Sequence, residues 1–304
     1  MSHFLEFSGS DRRTVRANWH VALSERAQLE GPTAEGLPDS ALPPPSANDA
    51  HAPWVVVCHG FKGFRAWGFF PWLCDQLAQA GFHALRIDFS HNGVEETDFD
   101  RLDLFAIDTP SRHQEDLQAV LAEVDRMCRA DGAPAADAAG AAAPGPRIAL
   151  VGHSRGGADA LLCAARNPRV KAVVTLAATA DLSRGFDLSE ETLRRVGHIP
   201  VPNARTGQTM PVTRLFVDDS ARHDVVAAAR ALAGRPLLLI HGSDDEAVPV
   251  EDAHRLAAAH GAAELLVIDH ARHTFGGVHP FAGPTNALDT LADRMIAFLG
   301  RTLG

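Results

Sequence analysis

Ile148-Ala149-Leu150-Val151-Gly152-His153-Ser154-Arg155-Gly156-Gly157-Ala158-Asp159-Ala160-Leu161-Leu162-Cys163-Ala164-Ala165 is the stretch whose reading decides the fold. A short unbroken apolar run enters a G-x-S-x-G turn and leaves it through small residues and leucines of high helix propensity, the pattern of strand, sharp turn and helix. The glycines have a steric reason. A serine at the top of so tight a turn takes a strained backbone conformation, which brings the residues two before and two after it together. Only small side chains fit there, and the hydroxyl is left exposed at the carboxyl end of a buried strand. A bare G-x-S-x-G match arises by chance; the flanking strand and helix give this one its meaning.

Similar apolar runs recur at 54–58, 84–89, 170–176, 237–240 and 265–268. Continuous Val, Leu and Ile are what strands covered on both faces require, so the runs predict a mainly parallel sheet. Between them, Leu117, Val120, Leu121, Val124 and Met127 repeat at helical spacing behind Ser111-x-x-Gln114, which fits a capping box. Leu288, Leu291, Met295 and Leu299 predict a closing C-terminal helix. Ahead of the sheet, 4–7, a polar turn at 8–11 and alternating Val15, Ala17, Trp19, Val21 and Leu23 predict an antiparallel hairpin.

The expected organisation is one α/β domain over 1–304 with three interruptions. Residues 27–53, with Pro43-Pro44-Pro45, lack the apolar surface needed to offset ordering entropy and read as a mobile insertion. Residues 130–146 are an Ala/Gly/Pro string and read as a surface loop. Residues 181–234 are long enough for a lid over the strand ends, with a helix expected over 188–196, a short strand at Leu215-Phe216-Val217 and a helix over 222–232.

Composition narrows the function classes. The 304 residues are 46% hydrophobic, enough to fill a sizeable core, and a net charge of −10 repels phosphate backbones and anionic lipid. Nucleic acid and membrane surfaces are therefore poor partners, and a small molecule is the expected one; the sequence leaves the oligomeric state open. Cys58, Cys74, Cys128 and Cys163 have no paired spacing and read as buried thiols. With no metal-ligand spacing and no G-x-G-x-x-G turn, no metal or other cofactor is expected. The start lacks a basic stretch followed by an apolar run, and no stretch approaches the ~20 apolar residues of a membrane span, so a soluble cytoplasmic protein is expected.

A nucleophilic serine needs a base to take its proton and an acid to orient that base. In this strand-turn-helix setting they follow the serine in the order acid, then histidine. Carboxylates at Asp244, Asp245 and Glu246 come just after run 237–240, and His270 and His273 come after run 265–268. Both groups thus stand beyond strand carboxyl ends, where ligands of open α/β sheets bind. Run 54–58 ends in His59-Gly60-Phe61-Lys62-Gly63-Phe64. A turn of this kind aims a backbone N–H at a developing oxyanion, and Phe61 N–H with Arg155 N–H forms the expected anion hole, each donor worth roughly 3 kcal/mol.

With these residues in place the chain resembles the serine-nucleophile α/β-hydrolases, in particular bacterial esterase-like members related to dienelactone hydrolases and prolyl-oligopeptidase-type hydrolases. The resemblance runs from Trp54 onward and rests on His59-Gly60-Phe61-Lys62-Gly63, Gly152-His153-Ser154-Arg155-Gly156-Gly157, His241-Gly242-Ser243-Asp244-Asp245-Glu246-Ala247-Val248-Pro249 and His273-Thr274-Phe275. The family's His-Gly-x-x-Asp-x-x-Val-Pro pattern implies Asp245 as the acid, and the His-Thr-Phe ending implies His273 as the base. It implies a cofactor-free hydrolase of carboxylic esters, with peptidase, acyltransferase or non-catalytic ligand-binding relatives as the alternatives. Lys62, Arg65 and Arg155 are candidates for a cationic rim that holds a substrate carboxylate, against a reading in which they are solvated or paired. His59 and His241 read as structural, and Trp67, Phe69, Phe70 and Trp72 as core residues at a helix entry or as an acyl pocket.

Overall fold

In the computed structural model, which describes residues 2–22, 52–96, 98–130, 145–184 and 190–304, the chain opens with Ser2–Ser8 (β1) and Thr14–His20 (β2). They form the expected hairpin, antiparallel from Ser2 opposite His20 to Ser8 opposite Thr14. Trp54–Cys58 (β3), Phe70–Gln79 (α1) and His83–Asp88 (β4) follow, then the single turn Leu102–Phe105 (α2) and the long helix Pro110–Ala130 (α3). Ile148–His153 (β5) leads into Arg155–Arg166 (α4) and Val170–Leu176 (β6). Next come Glu190–Val196 (α5), His198–Pro202 (β7), Thr209–Thr213 (β8), Arg214–Ser220 (α6) and Val225–Ala231 (α7). Leu237–Gly242 (β9), Val250–His260 (α8), Glu264–Ile268 (β10) and Asn286–Leu303 (α9) complete the chain.

Eight strands form one sheet in the order β1-β2-β4-β3-β5-β6-β9-β10. β2 runs antiparallel to β4, and from β4 to β10 every pairing is parallel. The period-2 geometry of β3 divides the interior. Trp54, Val56 and Cys58 enter a core shared with α3, α4, α7 and α8, whereas Val55 and Val57 enter one shared with α1 and α9. All five residues are buried, which is why the run has no polar member. Each such Val or Leu contributes roughly 1.5–3 kcal/mol on leaving water, so a single charge placed at Val56 would offset several of them.

Strand order positions the site. β3 lies between β4 and β5, so the turns after β3 and β5 are neighbours, and β9 and β10 bring their own following loops to the same edge. A third, smaller core holds Phe64, Phe99 and Phe105 against Leu193, Ile199, Met210, Val212 and Phe216, and seats the 190–220 segment on the main body. Thr213 Oγ1 donates to Ala106 O at 2.6 Å, and Ser111 donates from both N and Oγ to Asp219 at 2.7 Å.

Two local expectations are corrected. Leu215, Phe216 and Val217 lie in helix α6, where Phe216 is buried in the small core, Val217 packs against its margin and Leu215 stays exposed. Ser111 does not cap α3; Thr109 does, accepting Arg112 N on its Oγ1 at 3.3 Å, and Ser111 is committed to Asp219. The antiparallel pair β7–β8 has no counterpart in the sequence reading. The segments expected as an insertion (27–53) and a loop (130–146) lie, except for their ends, outside the described residues. The four cysteines are free and buried, and among the described residues no helix is long and apolar enough to cross a membrane.

Candidate active site

Ser154 sits between β5 and α4 at φ 56° and ψ −122°, a conformation that costs a non-glycine residue about 1–3 kcal/mol. The turn is closed by contacts that leave no room for side chains. A Cβ on Gly152 would stand 2.1 Å from Gly156 O, and one on Gly156 would stand 2.3 Å from His59 O. The turn after β3 is pressed against the serine as well, since a Cβ on Gly60 would meet Ser154 Cβ at 2.8 Å.

The loops after β9 and β10 touch at Gly242, where a Cβ would stand 2.1 Å from Ala271 O. That approach brings Asp245 to His273, with Oδ2 2.8 Å from Nδ1. The same oxygen lies 3.3 Å from His241 Nε2, and Oδ1 accepts the backbone N–H groups of Ala247 and Val248, each at 2.9 Å. Burial works to raise the Asp245 pKa, but the bonds from His241 and His273 and the charge on His273 hold it well below the usual carboxylate range. The neighbouring acids are otherwise engaged. Asp244 faces His270 at 3.4 Å and Glu246 faces Arg272 at 3.0 Å, all four side chains exposed.

Histidines support this frame. His153 Nε2 donates to His273 O at 2.9 Å, and burial together with the charge of His273 lowers its pKa to about 3, so it is a neutral donor. His59 Nδ1 donates to Gly60 O at 2.9 Å while Nε2 accepts Phe89 N, and burial lowers its pKa to about 4. His241 Nε2 also reaches Val248 O at 2.9 Å. The structural reading of His59 and His241 matches these contacts. The role of His153 was missed, although its place beside the serine was the available signal.

Ser154, His273 and Phe61 line one cleft of about 280 Å³, with Trp67 and Phe70 as its apolar wall and Asn203 to Arg205 overhanging it from the β7–β8 turn. Lys62, at φ 57°, lines it too and donates from Nζ to Pro202 O at 3.0 Å; partial burial lowers its pKa. Arg65 does not line it. Its guanidinium is held by Asp88 and by Asn18 Oδ1, because the buried Asp88 carboxylate lies under it. The Arg155 side chain is buried and turns to Asp108. No Asp or Glu is among the described residues lining the cleft.

A mainly parallel sheet whose β5 delivers a serine on a strained turn, with an acid after β9 and a histidine after β10, defines the α/β-hydrolase class. The family model described as serine aminopeptidase, S33, matches residues 49–228, and the chain belongs to that family. The match contains Ser154 and ends before Asp245 and His273. A similar sequence is an Escherichia coli protein described as "Uncharacterized 31.7 kDa protein in traX-finO intergenic region", 31% identical over 186 residues, 59% of this chain and 58% of that one. The chain thus matches less than two thirds of the length of that relative. Among solved structures, Est1E from Butyrivibrio proteoclasticus is similar over 99% of both chains, with a TM-score of 0.64 at 17% identity. An esterase domain from a Rhodothermus marinus protein is similar over 100% of both, with a TM-score of 0.63 at 20% identity. These likenesses concern the fold.

Proposed function

We propose that this chain is a cofactor-free serine hydrolase of small or medium carboxylic esters or lactones, acting through an acyl-enzyme. The observation that carries the reading is the 2.8 Å bond from the buried Asp245 to His273, a histidine that lines the same cleft as a serine at positive φ. In this reading His273 takes the Ser154 proton and Ser154 Oγ attacks the carbonyl carbon. The N–H groups of Phe61 and Arg155 hold the oxyanion, and Asp245 keeps His273 in the required tautomer. His273 returns the proton to the leaving alcohol, then activates the water that releases the acid. Residues 181–234 act as the lid, and Lys62 meets any anionic part of the substrate.

Aminopeptidase chemistry uses the same attack but must hold a free ammonium. A cleft wall that carries Lys62, and Arg205 paired with Asp98, and has no carboxylate among its described lining residues offers no partner for an ammonium and favours an ester over an amino-terminal peptide. The test is turnover of p-nitrophenyl esters, aminoacyl anilides and lactones, with fluorophosphonate labelling to locate the nucleophile. Ester turnover with label on Ser154 is expected. Faster anilide turnover would make it a peptidase, and no turnover with no label would make it a ligand-binding relative.

A further inference from the structure

Beneath the serine turn lies a cluster of four charged side chains that the proposed chemistry does not use. Arg155 Nη2 donates to Asp108 Oδ2 at 2.5 Å. His113 donates from Nε2 to Asp108 Oδ1 and from Nδ1 to Asp159 Oδ2, both at 2.8 Å, and its ring stacks on Phe89 with centroids 3.6 Å apart. All four groups are buried. Burial works against charge on His113, yet the Asp108 and Asp159 carboxylates raise its pKa to about 9, with Arg155 opposing them. Two cations therefore balance two carboxylates.

Such a cluster is a poor means of stabilising a core, since desolvating four ions costs about as much as their attraction returns, and apolar residues of equal volume serve as well or better. Its geometry indicates another use. The Arg155 guanidinium carbon stands 5.4 Å from the Phe61 ring and 5.6 Å from the Phe216 ring, so the cation lies against the turn after β3 and against helix α6 of the overhanging segment. Phe61 and Arg155 are the two residues whose backbone N–H groups form the proposed anion hole. One side chain thus connects both donors; Asp108 binds it directly, His113 Nε2 lies 3.0 Å from the same Nη2, and Asp159 holds His113 from its far side.

We propose that Arg155 is a positioning residue whose guanidinium, held by Asp108 and lying against His113, which Asp159 fixes in turn, sets the spacing of the two oxyanion donors through its contact with the Phe61 ring. The proposal rests on the serine-hydrolase reading above. Because the donors act on charge that develops in the transition state, the loss should fall on kcat and spare KM. A displacement of about 1 Å in such a site costs on the order of 10²-fold.

The experiment compares Arg155→Met, Asp108→Asn and Phe61→Leu with wild type on p-nitrophenyl butyrate, and measures inhibition by an arylboronic acid, which forms an anionic adduct on the serine. Phe61→Leu keeps the backbone N–H and removes only the ring, so it holds the test open if the buried variants do not fold. The expected result is a kcat lowered about 10- to 100-fold with KM within about threefold, and boronate affinity falling in parallel with kcat. Folded variants by circular dichroism with kcat and boronate affinity within about threefold of wild type would overturn the proposal. Fluorophosphonate labelling of Ser154 separates this failure from failure of the underlying reading, because a chain that never labels at Ser154 has no anion hole to position.

Discussion

Asp244 faces His270 and Asp245 faces His273, so two aspartate–histidine pairs bridge the same two loops from adjacent acidic residues. The residue types are the same and the environments are opposite. The Asp244 and His270 side chains are 52% and 91% exposed, whereas that of Asp245 is fully buried, with four partners on its two oxygens. Asp244 lies in the turn that follows β9 and Asp245 just beyond it, and of the two only Asp245 turns inward. What would fit one pair for the proposed catalytic role is the backbone N–H groups and histidines that hold it, since an exposed pair is screened and free to move.

The largest expected effect breaks the buried pair. Asp245→Asn should lower turnover of a good ester about 10⁴-fold, because it favours the wrong His273 tautomer and cannot stabilise the imidazolium. Ser154→Ala should cost at least roughly 10³-fold with folding unchanged. Circular dichroism and kcat on the same ester check both. If Asp245→Asn retains wild-type turnover, the buried pair is structural.

A smaller loss is expected from the support that the exposed pair lacks. His153→Phe removes the donor to His273 O and should lower kcat about tenfold or more through misplacement of the base. An unchanged kcat would show that the loop after β10 holds its own shape. Weaker still, Asp244→Asn and His270→Ala should each cost less than about tenfold, as expected for screened surface charges. A larger loss from Asp244→Asn than from Asp245→Asn would move the acid one residue upstream.

The smallest expected effect is in stability against pH. The pKa values of His153 and His59 are lowered to about 3 and about 4, so below about 6.5 the unfolded chain binds protons that the folded chain refuses. Their contribution is fully present above 6.5 and is lost as pH falls toward the folded values. Urea midpoints should therefore drop between pH 7 and pH 5. The drop should be smaller in His153→Phe and unchanged in His270→Ala, and equal slopes in all three proteins would count against burial as the cause.

The sheet was legible because strands covered on both faces must be continuous apolar runs; 54–58 and 170–176 coincide with β3 and β6. The β7–β8 ribbon was not. Pro200, Pro202 and Pro211 interrupt it, and proline reads against a strand, yet Pro200 sits opposite Pro211 in a two-stranded ribbon that has free edges to accommodate them. A three-residue apolar run such as 215–217 fits either a strand or one face of a helix, and only the small core beneath Phe216 decides. Within the site, local motifs marked Ser154, Asp245 and His273, which the structure gathers on one cleft or its support. Arg155 entered as a candidate rim cation, and the cluster it joins, Asp108, His113 and Asp159, carries no spacing signal because its assembly depends on how α3 packs against α4.

The separateness of the β7–β8 ribbon bears on how such a protein diversifies. The ribbon shares no hydrogen-bonded register with the eight-stranded sheet, and its turn is closed locally by Asn203 N to Gln208 O and Gly207 N to Asn203 O. Insertions or exchanges at residues 203–207 alter the mouth of the cleft without shifting any strand that carries the serine, the acid or the histidine. The turn at Gly152 and Gly156 has the opposite property, since even one added methyl collides with backbone. Lineages that change their substrate are therefore expected to vary at the mouth while the serine turn stays fixed, and a library randomised over 203–207 is where altered selectivity should be sought.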